Sequence, residues 1–222
     1  MLVETTCDKN AFTIQAAAWE LLALSFRYPD TVLVDAVASG EWSEAAHEVA
    51  DALGIALPQG WGKELGGYVG ADEQTLLHSL RAEATRLFVG SPEPVCTPYE
   101  GVWRAADDGV QALLLVNPHS MEVERFMRAC GLGQPKGTNE PLDHIATECE
   151  LMEYLTLVEA GLAAASTSVE MPEDAYGQFF SEHLSTWAGR FADKVTKETR
   201  EAFFVAAAQL LAAVVRAGRE RL

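Results

Sequence analysis

Pro141-Leu142-Asp143-His144-Ile145-Ala146-Thr147-Glu148-Cys149-Glu150-Leu151-Met152 is the stretch on which the reading of this chain turns. A proline is tolerated in the first turn of a helix, where its missing N–H has no intrahelical partner. No further proline and no glycine follows until Gly161, so the pattern predicts one long helix from Pro141 to about Ala163. At about 100° per residue, Ile145, Leu151, Met152 and Leu155 bracket one apolar arc, while Asp143, Thr147, Glu150 and Tyr154 fall on a polar side. His144 and Glu148, four residues apart, point the same way, into the apolar arc. Burying such groups costs roughly several kcal/mol unless they are paired. They therefore read either as a satisfied pair, with Glu148 receiving backbone or His144 donors, or as working groups.

Outward from that helix the chain stays helical. Phe12, Ala16, Trp19, Ala23 and Phe26 recur at helical spacing up to Tyr28-Pro29. Asp30 is placed to cap a short helix through Val37, Gly40 breaks it, and Trp42 to Leu53 reads as another. Pro58 to Gly70, rich in glycine around Trp61 and Tyr68, predicts a flexible loop. Asp72 caps a helix whose inward face is Leu76, Leu80, Ala84 and Leu87, with Phe88 beside it. Gly90 to Pro98, with three prolines, predicts a loop that Pro98-Tyr99-Glu100-Gly101-Val102-Trp103 continues. Helices are expected over Asp107–Leu115 and from a Ser120 cap through Val123, Phe126 and Met127 to Gly131, then a linker over 132–140. Three more follow, at Glu173–Glu182, His183–Lys194 and Thr196–Arg219. No segment alternates as a half-buried strand does. The class is all-α: one bundle-like domain over residues 1–222, of roughly nine to eleven helices, with a candidate hinge at 132–140.

Hydrophobic residues make up 49% of the chain and charged ones 22%, which is too apolar for disorder. A formal net charge of -17 argues against nucleic-acid phosphates as partners and favours cationic ones, while also raising solubility. Cys7, Cys96, Cys130 and Cys149 form no CxxC pair and read as reduced cytosolic thiols. Met1 to Asp8 lacks the basic start and apolar run of a secretory signal. The apolar run Ala202 to Val215, interrupted by Gln209, falls short of the about 20 residues a membrane span needs. A cytoplasmic protein that is not integral to a membrane is expected.

Several chemistries find no support. HExxH is absent and His144/Glu148 has no further ligands nearby, so no metal is expected. No G-x-S-x-G elbow is present, and Cys149 lies in the apolar arc as an inert thiol would. Gly60, Gly62, Gly66 and Gly67 match no phosphate loop, and no cofactor is expected. An enzyme using His144 and Glu148 as an acid–base pair stays open as a reading from another class. Pro98 to Trp103 differs in kind: two aromatics flank a carboxylate, which suits a basic, partly apolar peptide as well as a core plug.

Arg86-Leu87-Phe88, then Pro98-Tyr99-Glu100-Gly101-Val102-Trp103, then Glu140 to Met152, then His183-Leu184-Ser185-Thr186-Trp187 with Phe191, resemble the TorD/DmsD/NarJ family of redox-enzyme maturation chaperones in order and spacing. The resemblance implies an all-helical cytoplasmic chaperone, not an enzyme. Such a chaperone binds the twin-arginine signal peptide of a molybdenum-cofactor oxidoreductase precursor, and holds it until cofactor insertion and assembly are finished. It implies a peptide-binding region of Pro98, Tyr99, Glu100, Trp103, Pro141, Asp143 and His144, with Glu148 as structural support. Asp143, aimed outward by the helix geometry, and Glu100 would meet the leader's arginines, while the inward-pointing His144 would hold the site in shape with Glu148. Some relatives carry Tyr-Glu-Ser where this chain has Tyr99-Glu100-Gly101. The alternative within the family is a nitrate-reductase-type assembly chaperone whose client has no exported leader. Relatives occur as monomers or domain-swapped homodimers, and 132–140 is where such an exchange would hinge.

Overall fold

The computed structural model describes residues 2–110, 117–134, 141–165 and 171–221, with the backbone alone for 2–8. Ten α-helices follow one another among them: α1 (Leu2–Phe26), α2 (Thr31–Ser39), α3 (Glu41–Ala52), α4 (Glu73–Ala84), α5 (Glu100–Asp107), α6 (Pro118–Ala129), α7 (Ile145–Glu159), α8 (Ala175–Phe179), α9 (Ser185–Glu198) and α10 (Ala202–Arg221). No strand occurs among the described residues beyond one isolated bridge. Helix starts follow local chemistry. Asp30 accepts from the Leu33 N–H at 3.1 Å and Asp72 from the Thr75 N–H at 2.9 Å, each satisfying an amide that the first turn leaves open. Gly40, at φ 90°, ends α2 in the left-handed region, where a side chain would be strained.

α1 packs along α7, and α9 along α10. Their apolar faces meet in one buried cluster that takes Trp19, Leu22 and Phe26 from α1, Leu151 and Met152 from α7, Trp187 and Phe191 from α9, and Phe203 and Leu211 from α10. Each fully buried phenylalanine or leucine contributes about 1.5–3 kcal/mol. Edge-to-face contacts, Phe26 with Phe191 at 5.4 Å and Trp42 with Phe203 at 5.1 Å, fix ring orientation. α10 starts six residues after the expected Thr196 and carries the apolar run Ala202 to Val215 on to Arg221. At 20 residues it has the length and apolarity to cross a membrane, yet Phe203, Phe204, Leu210 and Leu211 are fully buried in the core.

The structure revises several boundaries. Asn117, not Ser120, caps α6: its Oδ1 accepts from the His119 N–H, and Pro118 occupies the first turn. α9 runs past Lys194 to Glu198 because the chain turns only at 199–201. There the buried Glu83 carboxylate accepts from the Arg200 N–H at 2.6 Å and from Thr199 Oγ1 at 3.0 Å, and pairs with Arg86 at 2.8 Å. The loop from Pro58 to Gly70 is pinned down. Trp61 Nε1 donates to the Ala206 carbonyl, Leu65 is buried, and Tyr68 Oη donates to Glu201. Glycine content alone did not reveal those anchors. Cys96, Cys130 and Cys149 are buried free thiols, and burial pushes Cys96 up to about 12 and Cys130 to about 11. The Cys7 side chain, and most of the expected helix over Asp107–Leu115 and linker over 132–140, lie outside the described residues.

Candidate functional site

The long helix does not begin at Pro141. It begins at Ile145, with His144 as its N-cap in extended conformation (φ -76°, ψ 137°) and His144 Nδ1 accepting from the Ala146 N–H at 3.1 Å. Residues 141–144 are drawn out of helix by pairing with the other motif. The Glu100 N–H donates to the Asp143 carbonyl at 2.9 Å, and the Ile145 N–H to the Pro98 carbonyl at 2.8 Å, an antiparallel bridge centred on Tyr99 and His144. The same bridge starts α5 at Glu100, so Glu100 to Trp103 form its first turn and are not loop as expected. Tyr99 and His144 then stand side by side, rings edge to face at 5.3 Å.

Because Asp143 precedes the helix, it belongs to no helical face. It is 1% exposed, contrary to its expected outward aim. Its Oδ2 accepts from the Gly101 N–H at 2.8 Å and from Ser120 Oγ at 2.6 Å. Asn117 Nδ2 takes the Gly101 carbonyl, so both backbone groups of that residue are bound by side chains. Only glycine fits there: a Cβ on residue 101 would sit 2.9 Å from Asp143 Oδ2 and from Asn117 Nδ2, and closer to Ser120 Oγ. Burial pushes the Asp143 carboxyl above the usual carboxylate range.

Glu100 is fully buried. It pairs with Arg104 at 2.8 Å, and His183 Nδ1 lies 3.1 Å from its Oε1. Glu148, also fully buried, accepts from Trp187 Nε1 at 3.1 Å. It does not bond the His144 ring, as a paired core histidine would require; only its backbone N–H meets the His144 carbonyl. Desolvation, then the neighbouring Glu100, pushes the Glu148 carboxyl well above its ordinary value. Glu148 Oε1 has no hydrogen-bond partner among the described residues. Three buried carboxylates from the two motifs thus brace α5, α6, α7 and α9 against one another.

On the outer side of the bridge lies a groove of about 420 Å³. Pro98, Tyr99 and His144 line one side, and Phe26, Tyr28 and Phe88 another. Tyr28 and Val89 stand more than half exposed at its rim. His144 is half-buried here, and desolvation lowers its imidazole to about 4, so it faces the groove neutral. Arg27 and Glu150, which also line it, form an ion pair at 2.6 Å. A larger cavity, 610 Å³, lies elsewhere, lined by Arg104 and Arg125 against Glu122 and Glu182. Its charges offset one another, and none of Pro98, Tyr99 or His144 reaches it.

Of the residues expected to bind peptide, the structure gathers Pro98, Tyr99 and His144 in the groove. It puts Glu100 and Asp143 behind the groove. Trp103 turns toward α9, donating to the Thr97 carbonyl and lying under Arg190 at 5.6 Å and Lys194 at 5.8 Å. Pro141 is half-buried and lines no part of the groove. The acid–base pair of the enzyme reading is not assembled, since Glu148 is sealed from the groove His144 faces. Sequence reasoning passed over Arg27, Tyr28, Phe88, Val89 and Glu150 as groove residues. Tyr28-Pro29 at a helix end and Phe88 beside an apolar face were the available signals.

The family model described as nitrate reductase delta subunit matches residues 40–193. Similar curated proteins include the chaperone protein TorD of Vibrio cholerae, 28% identical over 144 residues, 65% of this chain and 62% of that protein. TorD of Photobacterium profundum is 28% identical over 60% of this chain and 59% of its own, and TorD of Shewanella loihica 26% over 63% and 60%. The chain thus spans about three fifths of the length of the curated relatives it matches. These relatives are named as chaperones. A solved structure from Archaeoglobus fulgidus, proposed to be a redox enzyme maturation protein, aligns over 93% of this chain and 92% of that one, with TM-score 0.49 and 21% identity.

Proposed function

The chain belongs to the nitrate reductase delta subunit family, and on that premise we propose that it is a cytoplasmic maturation chaperone for a molybdenum-cofactor oxidoreductase. It binds the twin-arginine leader of the precursor in the groove beside Tyr99 and His144 and retains the client until cofactor insertion and assembly are complete. The observation that carries this reading is the groove itself: an open trough walled by Phe26, Tyr28, Phe88 and Tyr99, on a chain of net charge -17. A leader offers cationic side chains followed by an apolar run able to form a helix, and an apolar trough on an acidic protein complements both. The neutral His144 ring adds a polar edge without adding positive charge. The chain itself supplies no reaction step; its work is binding, shielding and release.

Calorimetric titration of a synthetic twin-arginine leader tests this. Tyr99→Ala should weaken binding by about 1–2 kcal/mol, the range of an aromatic anchor. Unchanged affinity would remove the groove from the reading. A second reading is favoured by the description of the matching family model: a nitrate-reductase-type assembly chaperone, whose client carries no exported leader. It predicts no binding of any twin-arginine peptide but capture of the client's catalytic subunit. Light scattering distinguishes monomer from domain-swapped dimer for either.

A further inference from the structure

Arg27 follows the last turn of α1, and Glu150 projects from the second turn of α7. Their ion pair brings Arg27 Nε and Nη2 both within 2.6 Å of Glu150 Oε1. Among the described residues, they are the only arginine, lysine, aspartate or glutamate residues lining the groove. Both side chains are well exposed, 54% and 40%. Exposed pairs of this kind are weak and easily exchanged. Acidic neighbours stand close by: burial first, and then Glu20 and Glu150, hold the Glu153 carboxyl above its usual value, with Arg27 the cation that offsets them. Of the carboxylates from the two motif segments that could meet an arginine, Glu100 and Asp143 are sealed away, whereas Glu150 opens onto the groove.

We propose that Glu150 is the carboxylate that receives an arginine of the docked segment, and that Arg27 occupies its place in the free protein. The inference rests on the groove being a peptide site, and it names how that site selects arginine. A guanidinium from the ligand replaces an identical group of the chain, so the exchange leaves Glu150 paired throughout and buries no new uncompensated charge. Arg27 swings to solvent, and the apolar residues that follow the ligand's arginine settle against Tyr28, Phe88 and Tyr99. A lysine, lacking the planar fork, is a poorer replacement.

The test uses the full chain and three synthetic peptides: two consecutive arginines ahead of an apolar run, and the same peptide with both replaced by glutamine or by lysine. Calorimetry on the unaltered protein should rank arginine above lysine above glutamine. Arg27→Gln removes the internal competitor and should tighten the arginine peptide by up to about fivefold, leaving the glutamine peptide within about twofold. Glu150→Gln should abolish the preference for arginine while keeping the glutamine-peptide affinity. Weaker or unchanged binding of the arginine peptide by Arg27→Gln, or a preference that survives Glu150→Gln, overturns the exchange while the groove reading stands. If the unaltered protein binds none of the three, the groove reading fails and this inference with it.

Discussion

Tyr99 and His144 on one side of the two-residue bridge, and Glu100 and Asp143 on the other, are neighbours in sequence and opposites in environment. The first pair faces an open groove with partly exposed rings. The second pair is sealed in, its oxygens turned to Gly101, Ser120, Arg104 and His183. The backbone bridge produces this division, because an extended segment sends successive side chains to opposite faces. A motif that reads as one binding patch is therefore a binding patch and its brace, back to back. Residue type is a poor guide to which is which: the carboxylates, the natural partners of a cationic ligand, are the brace.

The largest break in that division should come from Asp143. Asp143→Ala strands the buried Gly101 N–H and leaves the Ser120 hydroxyl without its acceptor, so denaturant melts should show a loss of about 3 kcal/mol. Asp143→Asn keeps an acceptor for both and should stay within about 1 kcal/mol of the parent. If instead Asp143→Ala folds unimpaired and loses only client affinity, Asp143 belongs with the groove. Gly101→Ala probes the same brace from the backbone side. Its Cβ has no room between Asp143, Asn117 and Ser120, and it should lose about 2 kcal/mol in thermal melts.

His144 should give a pH-dependent effect. Its folded value, about 4, lies below the ordinary 6.5. Above 6.5 neither folded nor unfolded chain carries the proton, so stability is unaffected. As the pH falls from 6.5 toward 4 the unfolded chain takes up a proton that the folded histidine refuses, and stability declines by on the order of 3 kcal/mol. His144→Gln should flatten that limb in melts recorded across the interval. The smallest effect is expected for Glu148→Gln. Burial and the neighbouring Glu100 favour the uncharged form of Glu148, so Gln, which keeps an acceptor for Trp187, should change stability by less than about 1 kcal/mol at neutral pH. A large loss would mean that Glu148 is ionised.

The helical pattern was legible wherever a capping aspartate preceded an apolar face, as at Asp30 and Asp72, and so was the burial of Glu148 and Cys149 in the arc read from 3.6-residue spacing. What escaped was non-local. Pro141 is a good first-turn residue, but two backbone hydrogen bonds from a segment some forty positions earlier hold 141–144 extended, and this reversed the aim of Asp143. The same pairing moved the start of α5. Likewise the groove residues Arg27 and Phe88 come from α1 and the segment after α4, and no periodicity within one helix reports that they meet Tyr99.

Where a leader touches the chain separates the groove from the larger cavity most directly. Amide chemical shifts of the isotope-labelled protein, followed during titration with a twin-arginine leader, should move at Tyr99, Ala146, Thr147 and Arg27. The amides of Arg125, Phe126 and Ala129, which line the larger cavity, should stay still. Shifts concentrated at Arg125 and Phe126, with Tyr99 and Thr147 unmoved, would contradict it.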